Sequence, residues 1–196
     1  MPRPSQTNSI IDLVDMGESA EAVKLIKQSN PNAIVDEENG DSLAFYVTAF
    51  GNNEMFAALD VEQVDMVLLN GEGENILHAG IYSNDVSRLS AMLALKPSLD
   101  VINREGHTPL VLALELGQQE SSALLVASGA DVNLGSIEGD QSLHLACAHR
   151  FIEVAAAIIP KCDHVLAKNA KGNNPISIAA NNEAFGLVQL MLEATQ

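Results

Sequence analysis

The stretch that decides the fold runs from Gly106 to Asn133 and reads GHTPLVLALELGQQESSALLVASGADVN. It contains two apolar segments with helical periodicity, separated by Gly117. Thr108 and Pro109 open the first segment, where Thr can accept hydrogen bonds from free amides and Pro needs no donor. The stretch therefore predicts two short helices joined by a turn.

This pattern recurs along the chain with a period of 33 residues. The same spacing of 33 separates five successive glycines: Gly40, Gly73, Gly106, Gly139 and Gly172. An apolar segment follows each glycine, and a second break comes eleven residues after it, at Gly51, Asn84, Gly117, Arg150 and Glu183. Since a helix pair of this size cannot bury its apolar faces alone, the repetition predicts pairs that stack on their neighbours.

A 33-residue unit with Thr108-Pro109-Leu110 at its first helix and Gly129-Ala130-Asp131-Val132-Asn133 at its end resembles the ankyrin repeat. The third unit matches almost throughout, and the others match by spacing and apolar pattern. Asn75, Gln141 and Asn174 replace the capping Thr, and we expect weaker helix caps there. The resemblance implies an all-α ankyrin-repeat solenoid of stacked helix pairs with β-hairpin or loop fingers.

The expected organisation is a cap followed by repeats. Residues 1–35 are predicted to form an N-terminal capping helix pair around Gly17, and residues 36–196 five ankyrin repeats in one continuous array. The repeats are placed at about 36–68, 69–101, 102–134, 135–167 and 168–196. The apolar segment that ends in Leu190-Met191-Leu192 favours a longer protein whose next element covers this last helix.

Charge and composition exclude several classes of protein. The 196 residues carry 10 basic and 26 acidic side chains, a net charge of −16, which repels nucleic acid and anionic membrane surfaces. No apolar stretch approaches the roughly 18 residues of a membrane span, and no secretory signal opens the chain. Two cysteines, Cys147 and Cys162, fit a reducing compartment, and we expect a cytoplasmic or nuclear protein.

Catalytic, cofactor and metal sites find no support in the sequence. Gly71-Glu72-Gly73 lacks the lysine and the further glycine of a phosphate-binding loop, which favours a turn. His144 and Cys147 lie three residues apart without four converging metal ligands. The resemblance implies that His78 and His144 hydrogen-bond the backbone of neighbouring hairpins. We therefore predict no enzyme, no cofactor and no metal.

The resemblance also implies where a partner would bind, because the family binds proteins on its first helices and hairpins. Phe50, Tyr82, Leu116 and His149 stand at the ends of the first helices. The hairpin candidates are Glu72, Glu74, Arg104, Glu105, His107, Glu138 and Asp140. The alternatives are that the apolar residues pack against the next repeat and that the carboxylates form a solvated surface.

The predicted function is a non-catalytic protein-binding module that buries an apolar strip within an acidic rim. Residues 1–95 carry 15 acidic and 4 basic side chains, which predicts a protein partner with a basic surface. Three alternatives remain open: the repeat portion of a larger enzyme, channel or trafficking adaptor; a stoichiometric enzyme inhibitor; and a host-directed effector.

Overall fold

The computed structural model describes residues 6–195 of the chain. The described residues form two compact units, which divide between Ser98 and Leu99. We call them the N-terminal unit and the C-terminal unit. None of the helices in the described range is long and apolar enough to cross a membrane.

The N-terminal unit contains six α-helices and a short antiparallel β-hairpin among its described residues. The helices are α1 (Gln6–Asp15), α2 (Ser19–Ile26), α3 (Leu43–Phe50), α4 (Asn53–Ala57), α5 (Ile76–Tyr82) and α6 (Val86–Ala94). The hairpin joins β1 (Ile34–Asp36) to β2 (Asp41–Ser42), and Ile34 pairs with Ser42. α3 and α5 pack side by side, as do α2 and α4.

The described residues of the C-terminal unit contain six further α-helices, again in consecutive pairs. They are α7 (Pro109–Glu115), α8 (Gln119–Ser128), α9 (Ser142–Ala148), α10 (Ile152–Ile158), α11 (Pro175–Asn181) and α12 (Phe185–Ala194). The first helices α7, α9 and α11 pack in succession, and so do the second helices α8, α10 and α12. The predicted stacking of helix pairs is therefore present within this unit.

The residue two places after the repeat glycine is the N-cap of the first helix, and its side chain accepts a capping hydrogen bond in four of the five repeats, Gln141 being the exception. Thr108 accepts a hydrogen bond from the Val111 amide at 3.2 Å, as predicted. Asn174 accepts one from Ser177 at 2.8 Å, and Asn75 accepts one from Leu77 at 3.1 Å. The expectation of weakened caps at these two asparagines is wrong, because the Asn side-chain oxygen accepts amide hydrogen bonds as well as the Thr hydroxyl does.

The turns between paired helices use left-handed backbone at most of the predicted breaks. Gly117 has φ 69°, and Asn84, Arg150 and Glu183 adopt φ values between 51° and 62° although they carry side chains. Gly51 departs from this pattern with an extended backbone at φ −66° and ψ 156°. Its N–H still bonds the Val47 carbonyl at 3.0 Å, so α3 ends at this residue by a different geometry.

Small residues allow the paired helices to approach closely. A Cβ added to Gly80 on α5 would lie 3.2 Å from Leu89 Cδ1 and 3.4 Å from Leu89 Cα on α6. The large side chains that are fully buried are aliphatic or thioether, and each unit buries its own set. The largest fully buried side chains are Leu43, Met55, Leu77, Ile81, Leu89 and Met92 in the N-terminal unit and Leu110, Leu114, Leu125, Leu143, Ile158 and Leu187 in the C-terminal unit.

Candidate protein-binding surface

Phe50 is an exposed aromatic residue at the end of α3. It keeps 55% of its surface exposed, although it is the last residue of an otherwise buried helix. Its ring meets the ring of Tyr46, one helical turn earlier, edge to face with centroids 5.0 Å apart. The predicted exposure of Phe50 is confirmed. Tyr46, which packs against the Phe50 ring, is buried, and the sequence alone did not indicate its role.

Tyr82 is the second aromatic residue of the N-terminal unit that was predicted to face a partner. It is 38% exposed at the end of α5. Its hydroxyl donates a hydrogen bond to Glu74 Oε1, because the side chain runs back along the helix toward the hairpin. Tyr82 is therefore partly exposed, while its hydroxyl makes a polar contact inside the fold.

Glu74 lies inside the fold, and its predicted place among solvated carboxylates is wrong. Only 6% of the residue is exposed. The cause is its position directly before the N-cap of α5, where Tyr82 and the Asn70 amide both donate to its carboxylate. Glu72, two residues earlier, is exposed as expected.

A hydrogen-bonded asparagine closes the hairpin beside Glu74. Asn70 Oδ1 accepts from the Glu72 and Glu74 amides at 3.0 and 2.9 Å, and Asn70 Nδ2 donates to Asp41 Oδ1 at 2.9 Å. Asp41 is 4% exposed, and burial raises the pKa of its carboxyl despite the Asn70 hydrogen bond. Neighbouring hairpins in this unit are thus joined by a buried polar contact.

Leu116 and His149 are the corresponding residues of the C-terminal unit. Leu116 follows α7 as its C-cap and is 52% exposed, as predicted. His149 follows α9, is exposed, and stacks on Phe151 with ring centroids 5.3 Å apart. The unit therefore presents one aliphatic and one aromatic side chain at the ends of two adjacent first helices.

The hairpin candidates Arg104, Glu105 and His107 differ in their surroundings. Arg104 and Glu105 are exposed. His107 is half-buried and turns toward α7, with Nε2 3.2 Å from Glu115 Oε2. The prediction that His107 is exposed at the tip of the hairpin is wrong, because its imidazole contacts the carboxylate of Glu115 on α7.

The last two predicted hairpin residues each have a partner on the next hairpin. Glu138 is exposed and pairs with Lys171 at 2.5 Å, which lowers the pKa of the Glu138 carboxyl through that hydrogen bond. Asp140 is half-buried and accepts from Asn169 Nδ2 at 2.7 Å. Asn169 repeats the geometry of Asn70, since its Oδ1 accepts from the Lys171 and Asn173 amides.

The asparagines Asn70, Asn103 and Asn169 are the feature that sequence reasoning missed. Each stands three residues before a repeat glycine, and each accepts hydrogen bonds from the amides two and four residues later. The signal was present in the sequence as a recurrent Asn at one repeat position. These hydrogen bonds brace three hairpins in which the described residues form no strand.

His144 and Cys147 have structural surroundings. The His144 Nε2 bonds the Ala167 carbonyl at 3.0 Å, and Nδ1 accepts from the Gln141 amide, so His144 links its helix to the next repeat as expected. Burial raises the pKa of the Cys147 thiol to about 12, and its sulfur lies 3.9 Å from Met191 Sδ. Within residues 6–195 no group of three His, Cys, Asp or Glu side chains is arranged to hold a metal ion.

Comparison with known proteins places this geometry in a family. A family model for ankyrin repeats in three copies matches residues 44–136. The chain is 30% identical over 135 residues to the nuclear factor NF-kappa-B p105 subunit of Mus musculus, covering 66% of this chain and 14% of that protein. It is 26% identical over 134 residues to NF-kappa-B inhibitor alpha of Homo sapiens, covering 63% of this chain and 42% of that protein.

Two further matches bear on fold and on catalysis. The solved ankyrin repeat domain of Bcl-3 superposes with a TM-score of 0.70 at 18% identity, over 92% of this chain and 81% of that chain, and this likeness shows the fold. The tankyrase of Caenorhabditis elegans, a poly(ADP-ribose) polymerase, is 31% identical over 90 residues, which cover 42% of this chain and 4% of the enzyme. A match to 4% of the enzyme shows no enzymatic domain in this chain.

The chain spans less than half the length of each of these curated relatives. Ankyrin repeats are generally protein–protein interaction modules. Repeat spacing, capped helix pairs, the family model and the Bcl-3 likeness agree: the chain carries ankyrin repeats over residues 44–136 and has the ankyrin-repeat fold.

Proposed function

We propose that this chain is a non-catalytic module that binds a partner protein through the ends of its first helices and its hairpins. The observation that carries the proposal is the exposure of Phe50 and Leu116, 55% and 52%, at the ends of helices whose other apolar side chains are buried. Burial of one such side chain contributes about 1.5 to 3 kcal/mol to association. Aromatic and aliphatic anchors of this kind supply much of the energy of protein interfaces.

Exposed charged hairpin residues flank the anchors within each unit's own sequence: Glu72 in the N-terminal unit, and Arg104, Glu105 and Glu138 in the C-terminal unit, and we call these four the rim. Exposed ion pairs contribute about 0 to 1 kcal/mol each, so these side chains guide association more than they hold the complex. Glu74, Asp140 and His107 support the hairpins from inside. Tyr82 and His149 offer further exposed ring surface, one in each unit.

We propose further that the chain consists of a capping helix pair and five repeats and that it works in the cytoplasm or nucleus. The likeness to NF-kappa-B inhibitor alpha favours a second candidate within the same class, a module that inhibits its partner by occupying one of its surfaces. Both candidates require the same anchors. They differ in whether the activity of the bound partner falls.

Site-specific photo-crosslinking tests the proposed function. A photoreactive phenylalanine at position 50 or 116 should crosslink to the same discrete protein in an extract of the source cells. Ile152 on α10 and Phe185 on α12 are matched controls, because both are exposed apolar residues that begin second helices. Crosslinks that are absent at 50 and 116, or equally strong at 152 and 185, would contradict the proposal.

A further inference from the structure

The end of α1 and the exposed ring of Phe50 meet through one tyrosine. Tyr46 on α3 donates a hydrogen bond from its hydroxyl to Asp15 Oδ1 at 2.8 Å. The same ring supports Phe50 edge to face. Asp15, Tyr46 and Phe50 thus form one continuous group, which we call the Asp15 cluster, and its two outer members are exposed.

The hydrogen bond fixes the carboxylate in place. Burial and the Asp15 contact both raise the pKa of Tyr46, so the phenol keeps its proton and remains a donor throughout the physiological range. A carboxylate offers two oxygens, and this bond uses one lone pair of Oδ1. Asp15 is therefore oriented by Tyr46 while it retains acceptor capacity toward solvent.

The electrostatic surroundings of the cluster are negative. The carboxylates of Asp36 and Asp41 also act on the Tyr46 hydroxyl and help to raise its pKa. Within the described part of the chain, Asp15, Asp36 and Asp41 form no ion pair with a basic side chain. A partner that covers this surface without a positive charge would leave the exposed Asp15 carboxylate without a counter-charge.

The chain itself shows how such a combination holds a cation. The Arg88 guanidinium lies 5.4 Å from the centroid of the Phe56 ring and 3.6 Å from the Asp85 carboxylate. Arg88 also donates to the Thr48 carbonyl at 3.0 Å. A ring face and a carboxylate together suit a guanidinium, which is planar, weakly hydrated and always charged.

We propose that the Asp15 cluster docks an arginine-bearing segment of the partner protein, whose guanidinium stacks on Phe50 and pairs with Asp15. This inference rests on the proposed protein-binding function and names the chemistry of the partner segment that binds the N-terminal unit. Charge complementarity selects a cationic segment, and the exposed ring selects arginine over lysine. Tyr46 acts as a positioning residue because it orients both groups.

The test measures binding of labelled peptides to the full chain by fluorescence anisotropy. The probe is a 12-residue peptide of serine and leucine that carries four arginines, and its matched peptide carries four citrullines, which keep the shape and remove the charge. We expect the arginine peptide to bind at least about tenfold more tightly than the citrulline peptide. A four-lysine peptide should fall between them.

Variants of the cluster separate a specific site from attraction to the net charge. Asp15→Asn and Phe50→Leu should each weaken binding of the arginine peptide about three- to tenfold. Tyr46→Phe should weaken this binding less and should reduce the preference for the arginine peptide over the lysine peptide. Glu120→Gln on α8 is the matched control for charge, since Glu120 is exposed and belongs to the other unit. Thermal melts would show that each variant is folded.

The inference is overturned if the citrulline peptide binds as tightly as the arginine peptide. It is also overturned if arginine binding survives Asp15→Asn and Phe50→Leu unchanged, since that attraction would then come from the charge of −16 alone. Crosslinks at positions 50 and 116 without arginine selectivity would retain the protein-binding function and remove this inference. Arginine selectivity at the cluster without such crosslinks would do the reverse.

Discussion

Arg150 holds a backbone conformation that favours glycine. Its φ of 62° lies in the left-handed region, at the turn where Gly117 stands one repeat earlier with φ 69°. For a residue with a side chain this conformation costs about 1 to 2 kcal/mol. The Arg150 amide bonds the Cys147 carbonyl at 3.3 Å, and this bond holds the turn that follows α9.

Replacing Arg150 with glycine should therefore stabilise the chain. Glycine loses about 0.5 to 1 kcal/mol more conformational entropy on folding, so the expected net gain is about 0.5 to 1 kcal/mol. Chemical denaturation would measure it, with Ala148→Gly as the control, since Ala148 is exposed and still helical in α9. The control should lose about 0.5 to 1 kcal/mol, and two variants with equal losses would contradict the account.

Asp41 makes the stability of the chain depend on pH. Burial raises the pKa of its carboxyl above the ordinary value of 3.8, so the folded state disfavours the charged form. Below the ordinary pKa, Asp41 is protonated in both states and does not lower the free energy of unfolding. The free energy of unfolding falls as pH rises from the ordinary pKa through the raised pKa. Stability attributable to Asp41 is lower at pH 7 than at acidic pH.

The Asp41→Asn variant should be more stable than the parent at pH 7. Its amide oxygen can still accept from Asn70 Nδ2, which keeps the contact between the hairpins. The difference in free energy of unfolding should shrink as pH falls toward 3.8, which urea titrations at several pH values would follow. A variant that is less stable than the parent by the same margin at every pH would contradict this assignment.

At the scale of the hairpin, the side chain of Asn169 supplies hydrogen bonds that a pair of strands would otherwise supply. Asn169 accepts from two amides of its own hairpin and donates to Asp140 of the preceding hairpin. A backbone hydrogen bond also joins the two hairpins, since the Ala170 amide donates to the Glu138 carbonyl at 3.0 Å. Adjacent hairpins in the C-terminal unit are thus held together by side-chain and backbone bonds.

Asn169→Ala should destabilise the chain by about 2 kcal/mol, because it removes three hydrogen bonds of about 0.5 to 1.5 kcal/mol each and leaves amides without their acceptor. Asn173→Ala is the matched control, since Asn173 lies in the same hairpin and contributes its backbone to these bonds. Thermal and urea unfolding of both variants would decide. Equal losses from the two substitutions would show that the hairpin does not depend on Asn169.

The helix pairs could be predicted from sequence because their determinants are local. The repeat glycine, the capping residue and the apolar periodicity all lie within one 33-residue unit, and Thr108 and Pro109 occupy the predicted positions in the structure. The burial of Glu74 could not be predicted in this way. It depends on Tyr82 folding back over eight residues and on Asn70 donating to the same carboxylate.

The candidate site divides along the same line. The exposure of Phe50 and Leu116 follows from their places at helix ends, where the repeat leaves the side chain uncovered. The position of His107 depends on Glu115, which stands a full helix later in the chain. Repeat spacing therefore predicted which helix-end side chains are exposed, whereas the polar contacts that bury Glu74 and half-bury His107 required the structure.

At the scale of the whole molecule, we expect the two exposed anchors to supply the binding energy and the rim to guide association. The most direct test is calorimetric titration of the protein identified by crosslinking against the Phe50→Ala/Leu116→Ala variant, with Ile152→Ala/Phe185→Ala as the matched apolar control and Glu72→Gln/Glu138→Gln as the rim variant. We predict that the anchor variant melts like the parent and loses about 3 kcal/mol or more of binding free energy, and that the rim variant loses less than about 2 kcal/mol. An anchor variant that stays folded and binds with unaltered affinity would contradict the central claim.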